Sequence, residues 1–118
     1  MENFTLVRPE HLNHHGYLFG GNMLKWVDEN AWMAATRDFP GCTMVTVGMD
    51  DIRFSHRVDN GAILRFHVEQ QEKGRPSATY SVNVLADEPG ATTEIEVFKT
   101  RVTFVRVDEE GKPCSLPR

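Results

Sequence analysis

Apolar residues recur along the chain with two periods. From Thr43 to Phe54 they fall at Val45, Val47 and Met49 in alternation, then at Ile52 and Phe54. Ala62 to Gln71 alternates through Leu64, Phe66 and Val68, and Ser77 to Ala86 through Tyr80, Val82 and Val84. Glu94 to Val107 carries Ile95, Val97, Val102, Phe104 and Val107. A period of two belongs to strands with one face buried. The connections Asp59-Asn60-Gly61, Lys73-Gly74-Arg75-Pro76 and Glu88-Pro89-Gly90 are short and made of turn residues, so these four strands are antiparallel neighbours. A short strand is expected at Thr5–Arg8, ended by Pro9, and Glu10 to Gly21 reads as loop.

The helical period occurs once. Asn22 to Asp38 reads as a helix with Asn22 as N-cap and Pro40-Gly41 as its stop. Met23, Leu24, Trp26, Val27, Ala31, Trp32, Met33, Ala34 and Ala35 surround its axis, the pattern of a buried helix. In a chain of 118 residues something must wrap it. The expectation is an α+β fold, a curled antiparallel sheet around one long central helix, forming a single domain over residues 1–118.

Composition narrows the function classes. Apolar residues make up 40% and charged residues 25%, as in ordinary globular proteins. Thirteen basic against seventeen acidic residues give a net charge of −4, which disfavours nucleic acid as a partner. No signal peptide or membrane-spanning run is visible, so a cytoplasmic location is expected. Cys42 and Cys114 lack metal-ligand spacing and read as reduced thiols. His11, His14 and His15 cluster, but His56 and His67 lie on other segments, so no metal site and no cofactor is expected. A Gly-x-Ser-x-Gly elbow is absent, which argues against a serine hydrolase.

The segment from Asn13 to Asp28 carries the candidate chemistry. It runs Asn-His-His-Gly-Tyr-Leu-Phe-Gly-Gly and then enters the helix, with Asp28 inside it. Asn13, Gly16, Phe19-Gly20-Gly21 and Asp28 resemble, in type and spacing, the hotdog-fold acyl-CoA thioesterases of the bacterial and cytosolic acyl-CoA hydrolase branch. The likeness extends through Val45 to Phe54, the Gly74-Arg75 turn and Thr103 to Gly111, roughly residues 5 to 113. It implies hydrolysis of acyl-CoA to free acid and CoA, with coenzyme A as part of the substrate. The family often has Gly-Arg-Ser where this chain has Gly74-Arg75-Pro76-Ser77, and Pro76 removes a backbone donor there.

The residue types suit thioester hydrolysis. Gly20 and Gly21 stand where helix N–H groups lack internal partners and carry positive partial charge, so they can polarise a thioester carbonyl. Asp28 serves as general base or nucleophile, and Asn13 orients water or substrate. Arg53, His56 and Arg57, with Lys73 and Arg75, together offer cations for the phosphates of CoA. Phe19, with Tyr17, Trp26 and Trp32, offers an acyl or aryl lining. Asp28 lies about 10 Å along the helix from Gly21 at ~1.5 Å per residue, too far for one carbonyl carbon to meet both. The expected active unit is therefore a homodimer with shared sites, which tetramers or hexamers could be built from; the resemblance implies the same. Two alternatives stay open: a hydratase or dehydratase using His14 with Asp28, and a non-catalytic acyl-CoA-binding module.

Overall fold

The computed structural model describes residues 1–117. In chain order it contains β1 (Glu2–Leu6), a 3-10 turn (Pro9–His11), α1 (Gly20–Asp38), β2 (Thr43–Phe54), β3 (Ile63–Lys73), β4 (Ser77–Asp87) and β5 (Ile95–Val107). The strands form one antiparallel sheet in the order β1-β3-β4-β5-β2. The sheet's inner face carries Leu64, Phe66, Val68, Val82, Val84, Val102 and Phe104, all buried, against Val27, Ala31 and Ala35 of α1. Alanines on the helix let the sheet approach closely. Each large apolar side chain buried here contributes about 1.5–3 kcal/mol. No helix among the described residues is long and apolar enough to cross a membrane.

Three details differ from the sequence expectation. First, α1 starts at Gly20 with Phe19 as N-cap, two residues before Asn22. The His11 carbonyl accepts both the Phe19 N–H at 2.9 Å and the Asn22 side-chain amide at 3.0 Å. This tertiary anchor overrides the poor helix propensity of two glycines. Second, burial of α1 is one-sided: Met23, Val27, Asn30, Ala31, Ala34 and Ala35 are buried, while Trp32 stays 44% exposed. Third, β1 begins at Glu2, earlier than Thr5.

Strand β2 lies at the sheet edge and is irregular. Its pairing with β5 shifts between Thr46 and Gly48 and again between Asp50 and Arg53. Each extra residue bends and twists the strand locally. The second irregularity holds Asp51 at φ 53°, the left-handed region. Aspartate tolerates this better than most residues, and a β-branched side chain does not. Asp51→Val is therefore expected to lower stability by about 1–2 kcal/mol, read by thermal or urea denaturation, with Asp51→Gly showing no such loss. Equal effects of the two substitutions would refute a conformational cause.

At the far end of the helix, the buried Tyr80 hydroxyl donates to Asp38 Oδ2 at 2.7 Å. Burial, then this carboxylate, raises the Tyr80 pKa above its ordinary value. The tie thus stabilises the fold below the ordinary tyrosine range and is lost as pH climbs through the raised value. The tail folds back over the β3–β4 turn, with Leu116 buried and its N–H on the Arg75 carbonyl at 2.7 Å.

Candidate active site

The amino end of α1 is built for close approach. A Cβ on Gly20 would lie 3.5 Å from the Phe54 ring, and one on Gly21 would lie 2.5 Å from Phe19 Cε2. The two rings thus flank the glycine pair. Phe19 supplies no side-chain cap, and the N–H groups of Gly20 and Gly21 have no acceptor among the described residues. Two backbone donors at a positive helix end are the elements of an oxyanion hole.

Asn13 lies in the turn just before this end. Its Oδ1 accepts the N–H of His15 at 2.9 Å and of Tyr17 at 3.2 Å. Gly16, at φ 86°, closes the turn. With the oxygen committed, the Asn13 amide nitrogen is the end left free to donate. His14 is on the exposed tip of the turn, stacked 3.8 Å from His15.

Asp28 is half-buried two turns further along α1. Its Oδ1 accepts the Thr46 hydroxyl at 2.7 Å. Thr46 is thus its partner, which fixes one carboxylate oxygen and leaves Oδ2 without a protein donor among the described residues. The sequence reading missed Thr46, because the apparent alternation through Val45, Val47 and Met49 points attention away from it.

The basic residues divide into two groups. Ser55 to Val58 continue past β2 beside the helix amino end, where Arg57 lies over the Tyr17 ring at 4.6 Å and its Nε stands 3.9 Å from Asp59. Arg53 pairs with Asp51 at 3.1 Å. These ion pairs are exposed and worth only about 0.2–1 kcal/mol each, so a phosphate can displace them. Nearby Glu88 accepts the Asp59 N–H, and burial raises its carboxyl pKa. Lys73, Gly74, Arg75 and Ser77 are elsewhere. Phe54 faces Phe98, whereas Ser77 faces Val105. Seven residues of β5 at ~3.3 Å each put the two groups about 23 Å apart along the sheet. Within one chain, therefore, the two groups that were expected to hold the CoA phosphates together are not brought side by side. Gly74 itself is tightly held, for a Cβ there would meet Ser77 Oγ at 2.8 Å.

A cavity of about 310 Å³ opens beside the glycine pair, lined by Leu18, Gly20, Met23, Phe54 and Ser55 to Val58. A larger one, about 590 Å³, lies at the opposite end of α1 near Asp38 and Tyr80. No group of three or more His, Cys, Asp or Glu that could hold a metal occurs among the described residues.

Comparison with known proteins places this architecture. Residues 15–93 match the thioesterase superfamily. The chain belongs to that superfamily. This thioesterase-superfamily chain is 34% identical over 107 residues to acyl-coenzyme A thioesterase 11 of Mus musculus, covering 91% of the chain but 18% of the mouse protein. It is 29% identical to an uncharacterised acyl-CoA thioester hydrolase of Zymomonas mobilis, covering 96% of the chain and 75% of that protein. Among solved structures, a hexameric thioesterase from Yersinia pestis superposes with TM-score 0.90 at 26% identity, covering 98% and 93% of the two chains. An acyl-CoA hydrolase from Staphylococcus aureus, solved with butyryl coenzyme A, gives TM-score 0.89 at 28% identity, covering 99% of this chain and 71% of that one. The expected hotdog arrangement, one long helix held in a curled antiparallel sheet, is thus the fold of this superfamily member.

Proposed function

We propose that the chain hydrolyses acyl-CoA thioesters in a two-fold dimer whose sites are shared between subunits. The observation that carries this reading is the Asp28–Thr46 pair on the same helix as an uncapped glycine-pair N-terminus. Gly20 and Gly21 N–H, with the Asn13 amide, polarise the thioester carbonyl. Water attacks the carbonyl carbon and gives its proton to Asp28. The tetrahedral intermediate then collapses, the C–S bond breaks, and Asp28 returns the proton to the departing CoA sulfur.

The sheet supports the dimer. β2 is an edge strand with an unpaired side, and Val45, Val47, Ile52, Phe54 and Trp32 are exposed on and beside it. Such an edge invites a second strand. Helix and strand run in opposite senses: Gly20 packs at Phe54 and Asp28 at Thr46. A two-fold copy pairing antiparallel along β2 sets its Thr46 and Asp28 beside this chain's Phe54 and Gly20. The same operation carries the partner's β3–β4 turn toward Arg53 and His56, the convergence that one chain lacks. The hexameric relatives are compatible with such a unit.

The test is a panel of acyl-CoAs from acetyl to palmitoyl, with released CoA followed by a thiol reagent. Saturable release at enzyme-like rates is expected. Binding without release would overturn the reading in favour of a non-catalytic module.

A further inference from the structure

We infer that the cavity beside the glycine pair takes the acyl group, and that Met23 and Phe54 set its length, so that the chain selects acyl groups of medium length. This rests on the hydrolase reading above. The inner wall is apolar: Met23 and Val58 are 2% and 3% exposed, Leu18 is half-buried, and the Phe54 ring forms one side, held edge-on against Phe98 at 4.8 Å. Polar groups enter the lining at Ser55, His56 and Arg57. The pantetheine arm of CoA carries amides, which lose stability in an apolar recess without partners. An alkyl chain has none to satisfy. The arm is therefore assigned to the open surface and the alkyl chain to the recess.

Size follows from volume. At ~30 Å³ per small group, as for water in the liquid, about 310 Å³ holds roughly ten heavy atoms. The thioester itself takes three, which leaves about seven for the alkyl chain, an acyl group of about eight carbons. Pockets for larger ligands run upward from ~300 Å³, so this one sits at the small end. Met23 closes the recess from the first turn of α1. Shortening it opens space in line with the chain, and enlarging Phe54 narrows the side.

The experiment compares kcat/KM across acyl-CoAs of two to sixteen carbons for wild type, Met23→Ala and Phe54→Trp. Wild type should peak at about eight carbons, with losses of tenfold or more for chains too long for the recess. Met23→Ala should move the peak toward longer chains by two or more carbons. Because Met23 is core, Phe54→Trp serves as the second probe: Phe54 is 54% exposed, and sedimentation checks that the dimer persists. It should move the peak toward acetyl-CoA. A flat wild-type profile, or one unmoved in both variants, overturns the assignment while leaving the hydrolase reading standing. Silence toward every acyl-CoA overturns the hydrolase reading and the assignment with it.

Discussion

Asp28→Asn is expected to lower kcat by between about a hundredfold and ten-thousandfold, the range for loss of a positioned acid-base group. The substitution is nearly isosteric. An asparagine oxygen still accepts the Thr46 hydroxyl that the carboxylate accepts at 2.7 Å. Folding and dimerisation should therefore persist, and unchanged circular dichroism and sedimentation serve as controls. What disappears is the carboxylate that the proposed reaction uses as its proton acceptor. Thr46→Val gives a milder version, because it frees the carboxylate without removing it. A loss of about tenfold is the expectation for a positioning partner whose removal leaves the base in place. If Asp28→Asn retained activity within threefold of wild type, another group would have to be the base.

The second large effect comes from mixing two inactive proteins. Asp28→Asn disables one half of each proposed site, and Asn13→Ala the other half. Under two-fold symmetry each heterodimer gathers both lesions into one site and leaves the other site intact. Half of the dimers are mixed after re-equilibration, so activity should return to about a quarter of wild type. Sites confined to single subunits would give no recovery. A companion variant addresses the edge itself: Val47→Asp puts a charge on an exposed apolar position of β2. It should shift the protein toward monomer, with activity falling in step.

The division between what the sequence revealed and what it concealed has physical causes. Period-two runs placed all four long strands: in β3, β4 and β5 one face packs on the helix, whereas β2 buries only Met44 and leaves Val45, Val47, Ile52 and Phe54 exposed. The helix was legible from its apolar density, but its start was not. The anchor that sets it, the His11 carbonyl, comes from a residue eleven positions from Asn22, and nothing local announces it. In β2, Val45, Val47 and Met49 look like one face. The inner face is the other one, with Met44 in the core and Thr46 on Asp28, and the bulge between Thr46 and Gly48 then turns Met49 to that same face. The apolar alternation marks the outer face as the inner one, so the pairing of Thr46 with Asp28 was invisible. Asn13, Phe19, Gly20 and Gly21 do gather at one helix end, as their contiguity suggested. The two basic groups lie far apart because strand register, not sequence distance, decides neighbourhood in a sheet.

The bare amino end of α1 has an implication for anyone improving this protein's robustness. A stability-minded redesign would replace Phe19, an N-cap with no side-chain hydrogen bond, by Ser or Asp. Such caps typically raise helix stability by about 1 kcal/mol. The gain would come from occupying an N–H that the proposed reaction keeps vacant for the carbonyl oxygen, and from removing the ring that shelters it. Heat tolerance and turnover would then move in opposite directions at this one position. Selection schemes that score melting temperature alone would steadily erase the catalyst.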